Sequence, residues 1–352
     1  MYQSAGERRN TGGMATGRRA ATLGGIRPNP AGGARGIVAR HGTVGNVSVA
    51  LPVLLDTDVG SDVDDALAIA LLLASPELDL RALTTVSGDA RLRARIAKKL
   101  LTLAGQSNVP VAAGVQVPVS EQRSFLWLGH EGQGIVAADE PLQLLEAHAV
   151  DVLIDTLRRE QPQVIAIGPL SNLAVAILKA PDIVAAIPRL TVMGGTIGCA
   201  ATLPVEYNLG SDPEAAQRVL SAGIPTTLVP LDVTAQVAFT GAELSVLRAA
   251  PSRLARLLAA AIEIWAPLQR LFLDTLPGAN HDAVALLHDP LTVAVLIDRS
   301  LVTTQRLRLR PAIVEGMFSL LAEPDAPEFD VVVGVDAPRF VDFLMKRILE
   351  LP

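Results

Sequence analysis

A chain of 352 residues, half of them hydrophobic and with mean hydropathy +0.38, holds enough apolar material for a sizeable core in one large domain or two smaller ones. Its formal net charge of −6 argues against a general nucleic-acid surface. The single cysteine, Cys199, rules out an intramolecular disulfide framework and fits a reducing cytoplasm, and no apolar stretch reaches the roughly 18–20 residues of a membrane span.

Residues 1–47 are a different material from the rest. Seven arginines (Arg8, Arg9, Arg18, Arg19, Arg27, Arg35, Arg40) face one acid, Glu7, among many glycines. Such a segment cannot bury enough surface to offset its ordering entropy. Arg18-Arg19 hints at a twin-arginine signal, but no apolar h-region follows. The expectation is a disordered extension, or a start placed ahead of the true one with Met14 as an alternative, followed by a single domain over 48–352.

From about Ser48, short β-branched runs alternate with helical patterns. In chain order the pattern predicts a strand at Val53–Asp56, a helix at Asp62–Ala74, a strand at Leu80–Val86 and a helix at Ala90–Ala104. A helix at Val150–Glu160, a strand at Val164–Ile167, a helix at Leu173–Ala180 and a strand at Leu190–Met193 come next. Then follow a helix at Pro213–Ala222, a strand at Thr226–Pro230 and helices at Gly241–Leu247, Pro251–Phe272 (with Pro267 inside) and His288–Ile297. A strand at Phe329–Val335 and a helix at Pro338–Leu349 close the chain. This rhythm predicts an α/β fold, an open and mainly parallel sheet flanked by helices. Ligands of such folds bind beyond the carboxyl ends of the strands. Polar and turn-forming residues collect there: Asp56-Thr57-Asp58, Ser87-Gly88-Asp89, Gly168-Pro169-Leu170-Ser171-Asn172, Gly194-Gly195 with Glu206-Tyr207-Asn208, and Leu231-Asp232.

Asp56, Asp58, Asp62, Asp64 and Asp65 place five carboxylates in ten residues after the apolar run Val53-Leu54-Leu55. Such crowding is costly unless a cation sits among the charges or some acids hold protons. Ser61 with Asp64 resembles a capping box, and acids in a first turn favour the helix dipole, so part of the cluster starts a helix. Asp56 and Asp58 precede the turn and need another explanation. Oxygen-only ligands imply Ca²⁺ or Mg²⁺, and the spacing is unlike an EF-hand loop. A strand followed by Asp-x-Asp-x-Val also resembles the first motif of haloacid-dehalogenase-type Mg²⁺ phosphatases, in which Asp56 would be the nucleophile.

The wider pattern resembles the nucleoside hydrolase family, in its inosine-uridine-preferring form. Its signature is a strand, Asp-x-Asp-x-Gly, then an Asp-Asp pair opening an Ala/Leu-rich helix, as in Asp64-Asp65-Ala66-Leu67-Ala68-Ile69. Leu83–Asp89, Ala166–Ala174, Val192–Gly195 with Val205–Asn208 and Asp212–Ala216, Leu231–Thr234 and His288-Asp289-Pro290 resemble further family segments, in family order. The resemblance covers about Val53 to Pro290. It implies hydrolysis of the N-glycosidic bond of ribonucleosides to ribose and free base, in a homodimer or homotetramer, by a calcium-bound water that Asp58 activates. Asp58, Asp65, Asp289 and the Ile167 carbonyl would hold Ca²⁺. Asp64 and Asn208 would bind the ribose hydroxyls, Glu206 and Met193 would line the 5′ side, and Asp56 would orient the site from behind. His288 would contact or protonate the leaving base, His130 would lie on a loop near the site, and Asp89 would stand near the ribose. A nucleoside- or ribose-binding relative without turnover is the non-enzymatic alternative.

The departures from the family pattern concern the substrate side. Two extra residues separate Gly60 from Asp64, and Asp89 stands where many members carry Asn. Thr196–Val205 contains no Asn, and the chain's tyrosines are Tyr2 and Tyr207, so two familiar substrate contacts are missing. Trp127 and Trp265 read as hydrophobic packing with base stacking as the alternative. His148 and His281 match no motif.

Overall fold

In a computed structural model, residues 50–120, 123–197, 206–273, 276 and 280–352 are described; the Arg/Gly-rich extension, Cys199 and most of Thr196–Val205 lie outside them. The apolar run Leu51–Thr57 forms β1, buried from Val53 onward. It leads through α1 (Asp64–Leu73), β2 (Leu78–Thr85) and α2 (Ala90–Leu103) to β3 (Val111–Ala113). The chain then alternates α3 (Ala149–Glu160), β4 (Gln163–Ala166), α4 (Ser171–Lys179) and β5 (Leu190–Met193). Next come α5 (Tyr207–Ser211), α6 (Pro213–Leu220), β6 (Thr226–Val229) and α7 (Leu231–Thr234). A helical and hairpin region follows, with β7 (Ala238–Phe239), α8 (Gly241–Ala249), α9 (Arg253–Leu273), β8 (Ala285–Leu286) and α10 (His288–Ile297). The last elements are β9 (Val302–Val314), β10 (Met317–Ala322), β11 (Glu328–Val335) and α11 (Ala337–Leu349). Pro267 sits inside α9 without ending it.

These strands build a 9-stranded sheet in the order β10-β9-β11-β6-β5-β4-β1-β2-β3. All pairings from β11 to β3 are parallel; β9 runs antiparallel to β11 and to β10. The core order 3-2-1-4-5-6 is that of a doubly wound sheet, in which the winding reverses between β1 and β4. The predicted architecture is therefore the observed one, and the antiparallel edge is an addition to it.

Alternation along β1 divides the interior into two layers. Val53 and Leu55 pack with α1, α9, α10 and α11, whereas Leu54 packs with α3, α4 and α6. Because both faces are covered, the strand reads as a continuous apolar run. Every residue of α1 is buried, Asp64 and Asp65 included. Ten buried residues in one helix leave no solvated face, and this matches its unbroken Ala/Leu/Ile composition. Among the described residues no helix is long and apolar enough to cross a membrane.

Candidate active site

The turn after β1 is built by side chains close in sequence. Thr57 Oγ1 accepts the Val59 N–H at 3.1 Å, and Gly60 turns the chain at φ +127°, where an added Cβ would meet Ile96 Cδ1 at 2.7 Å. The positive φ is the ground that favours Gly there, since the end of the Ile96 side chain can shift. The expected capping box does not form. The helix begins at Asp64 with Val63 as its cap, while Ser61 Oγ donates to Glu131 Oε1 at 3.0 Å and Asp62 accepts the Val63 N–H at 2.6 Å. The two extra residues thus form a separate loop turn held from outside, so the helix starts two residues later than its acids suggest.

α1 packs against α10, and the two N-termini bring their first-turn acids together. The Asp289 N–H donates to Asp64 Oδ2 at 3.1 Å, and Asp65 N–H donates to Asp64 Oδ1 at 3.1 Å. Asp64, Asp65 and Asp289 each offer an oxygen within 4.8 Å of the others. Thr57 Oγ1 donates to Asp65 Oδ1 and fixes that carboxylate. Burial pushes all three acids well above the usual carboxylate range, and neighbouring carboxylates add to the rise. Asp58 is raised to about 6 by burial, with the Arg93 guanidinium opposing the rise. Two helix dipoles point positive ends at the cluster, yet each offsets only about 0.3–1 kcal/mol. A divalent cation would neutralise what they leave. The donor set is oxygen alone, the chemistry of a hard cation such as Ca²⁺ or Mg²⁺.

The opposite wall comes from β4 and β5 across the winding reversal. Gly168 lies so close to the β1 turn that a Cβ there would sit 2.9 Å from both Asp58 N and Asp58 Oδ1. Beside it, the Ile167 carbonyl accepts from Asn208 Nδ2 at 3.2 Å, which also reaches the Met193 carbonyl at 3.3 Å. Glu206 caps α5, accepting from Gly195 N, Asn208 N and Leu209 N at 2.6–3.0 Å, and burial raises its pKa. Behind this wall Asn172 Nδ2 donates to Asp56 Oδ1 at 2.8 Å, joined by Thr84 Oγ1 at 2.6 Å. Asp56 is raised to about 7, mainly by burial, and among the described residues its Oδ2 has no hydrogen-bond partner.

Between these walls lies a cavity of about 370 Å³. Its polar side carries Asp58, Asp62, Asp64, Asp65 and Asp289, then Ile167, Met193, Glu206, Asn208 and His288. Its apolar side carries Leu126, Leu128, Tyr207, Trp265 and Phe272. His288 Nδ1 pairs with Thr234 Oγ1 at 2.8 Å, and burial lowers its pKa to about 4, so the ring is neutral near pH 7. Trp265 presents itself to the cavity while its Nε1 donates to Gln269 Oε1 at 3.2 Å, so packing and wall formation coincide in one residue. Trp127 stays outside, with the Arg93 guanidinium 5.2 Å from its ring centroid.

Three expected site residues do not line this cavity. Asp56 sits behind it, which removes the phosphatase reading, because a nucleophile at that position could not reach a substrate. Asp89 is exposed and caps α2 by accepting the Leu92 N–H at 2.9 Å; a strand-to-helix turn needs such a cap, and its position gives no support to a ribose contact. His130 lies next door, its ring stacked on Trp265 at 5.8 Å and its Nε2 2.7 Å from the Ser61 carbonyl. His148 caps α3 through Nδ1. The sequence reading missed Arg93, Glu131 and Thr234. Thr234 lies inside a recognised motif and could have been found there; Arg93 is one of three alternating arginines in α2 with no local mark of its burial.

A family model described as inosine-uridine preferring nucleoside hydrolase matches residues 53–342. The pyrimidine-specific ribonucleoside hydrolase RihA of Salmonella arizonae is 33% identical over 318 residues, covering 85% of this chain and 99% of the relative. An uncharacterized protein of Schizosaccharomyces pombe is 33% identical over 319 residues, covering 86% of this chain and 100% of its own. Among solved structures, a purine-preferring ribonucleoside hydrolase from Gardnerella vaginalis superposes with TM-score 0.75 at 29% identity, covering 85% and 98% of the two chains. A plant nucleoside hydrolase superposes with TM-score 0.74 at 28% identity, covering 86% and 100%.

Proposed function

The chain belongs to the inosine-uridine preferring nucleoside hydrolase family, and from that membership we propose that it hydrolyses the N-glycosidic bond of ribonucleosides, releasing ribose and the free base. The observation that carries this reading is the convergence of Asp58, Asp64, Asp65 and Asp289 on one side of a cavity that also holds Glu206, Asn208 and His288. Cleavage of a ribosyl C–N bond builds oxocarbenium-like positive charge on the sugar, and clustered carboxylates stabilise that charge. Asp58 takes the proton of the attacking water. Arg93 opposes the effect of burial on this carboxylate, and a bound cation would favour its charged form, the form that can accept a proton.

Asp65 and Asp289, with Asp58 and the Ile167 carbonyl, are the groups that would hold Ca²⁺; Asp64 reaches the same point and would share it with a ribose hydroxyl. When bound there, calcium supplies a positive centre that acidifies water and holds the ribose diol. Asn208 and Glu206 contact the sugar from the opposite wall. Thr234 occupies Nδ1 of His288, which leaves Nε2 for the leaving base. The apolar wall of Leu126, Leu128, Tyr207, Trp265 and Phe272 covers the base and keeps bulk water from the reacting carbon.

The matched relatives carry pyrimidine-specific and purine-preferring names alike, so both classes belong in the test. Inosine, guanosine, adenosine, uridine and cytidine are each incubated with the protein in excess calcium, and reducing sugar is measured. Ribose from at least one of them supports the proposal. Calorimetric binding without ribose from any would replace it with a binding protein that does not turn over.

A further inference from the structure

We propose that Arg93 is a positioning residue of this site: its guanidinium fixes the Asp58–Ser61 turn and, through Ser61 and Glu131, ties that turn to the Leu126–Leu128 wall. The side chain rises from α2 and is fully buried. Nε donates to the Ser87 carbonyl at 2.7 Å, Nη1 to the carbonyls of Asp58 and Val59 (the latter at 3.2 Å), and Nη2 to Ser61 Oγ at 3.0 Å. Trp127 covers its face. Three of these four acceptors belong to the stretch that carries Asp58, so the guanidinium sets where that carboxylate points.

The acceptors are neutral, and none is a carboxylate. Burying a charge this way costs more than burying an apolar side chain of the same size, which makes a purely space-filling role a poor account of it. The planar fork explains the choice of Arg, since a lysine offers donors from a single nitrogen and cannot span these separated acceptors. The arrangement continues outward. Glu131 is buried and accepts from Ser61 Oγ at 3.0 Å, Leu128 N at 2.8 Å and Gly129 N at 2.6 Å, while His130 Nε2 grips the Ser61 carbonyl. Ser61 is thus clasped between Arg93 and the segment whose Leu126 and Leu128 line the cavity.

This inference rests on the hydrolase reading, so its test carries a readout besides turnover. Arg93→Lys keeps the charge and loses the fork; Glu131→Gln loosens the wall and leaves the Arg93 bonds to Asp58 and Val59 in place. In the full-length protein at saturating calcium, Arg93→Lys should lower kcat at least tenfold per folded molecule with KM changed less than threefold. Calorimetry with calcium alone should show its affinity weakened at least threefold, because Asp58 is displaced. Glu131→Gln should raise KM at least threefold with kcat altered less than twofold. Wild-type kcat and calcium affinity in Arg93→Lys would overturn the proposal. If Arg93→Lys does not fold, Glu131→Gln decides, and an unchanged KM overturns it. A wild-type chain that binds calcium but releases no ribose sinks the hydrolase reading alone, and the calcium titration still decides on Arg93. Failure to do either overturns both.

Discussion

Replacing Asp56 with asparagine should make the protein's stability less dependent on pH. The carboxyl is 1% exposed and is pushed from 3.8 to about 7, chiefly by burial, against hydrogen bonds from Thr84 and Asn172 that favour the charged form. Its folded-state pKa is raised, so between pH 4 and 7 the native state keeps a proton that the unfolded chain has released. Stability therefore falls as pH rises through that window. Integrating the two titrations at about 1.4 kcal/mol per pKa unit, the wild type loses about 2.5 kcal/mol at this residue between pH 5 and pH 8. Asparagine has no such titration. Its amide nitrogen would take the place of Oδ2, which has no partner, at a cost of about 1–3 kcal/mol that is the same at every pH. The offset moves the variant's curve without tilting it. Urea unfolding in EGTA at pH 5, 6, 7 and 8 reads the tilt directly. The midpoint of Asp56→Asn relative to wild type should rise by on the order of 0.5–1 M urea from pH 5 to pH 8. Excess calcium should leave that difference in place, because Asp56 lies outside the carboxylates that converge on the cavity. Parallel pH profiles for the two proteins would refute the reasoning.

Calcium itself should stabilise the protein more at pH 8 than at pH 5. Asp64, Asp65 and Asp289 have raised folded-state pKa values, so protons compete for their oxygens at low pH and the metal-free protein loses stability as pH rises. Thermal melts with calcium or EGTA at both pH values check this, and an equal gain at both would count against it. Gly168→Ala should cost about 1–3 kcal/mol by overpacking and lower kcat by roughly 10²-fold, since the new Cβ would lie against Asp58. A variant with wild-type kcat would show that the Asp58 position tolerates that displacement. His288→Ala should lower turnover of natural nucleosides by about 10–10²-fold, through loss of the neutral ring's Nε2 hydrogen bond to the departing base, and should spare a 4-nitrophenyl riboside, whose leaving group is stable as an anion. Equal losses on both substrates would remove the contact of Nε2 with the leaving base.

The parallel part of the fold was legible, except for β3, because its other strands are apolar runs with a turn-forming residue at the carboxyl end; β3 is three residues long, too short to show a pattern. The antiparallel edge was not read, although Arg306-Leu307-Arg308-Leu309-Arg310 alternates with a period of two and Leu309 is buried in the sheet. The acidic half of the site could be read since β1, α1 and α10 each carry their acids at an element end, where the topology converges. Asp89 misled because a helix cap and a ligand contact use the same residue type at the same kind of turn. Arg93 was hidden for a different reason. Its role depends on which face of α2 meets the β1 turn, and Arg91 and Arg95 flank it with the same chemistry. Glu131 lies 70 residues from the Ser61 it holds, beyond the reach of local pattern.

The most direct test strips the protein with EGTA and titrates calcium back while ribose release from its preferred nucleoside is followed, with Asp58→Asn alongside. Activity should be absent after stripping and return in proportion to calcium, reaching full value near one ion per chain. Asp58→Asn should bind substrate yet turn over at least about 10²-fold more slowly. Full activity in EGTA, or an Asp58→Asn variant as fast as wild type, would contradict a carboxylate-held metal with Asp58 as the base.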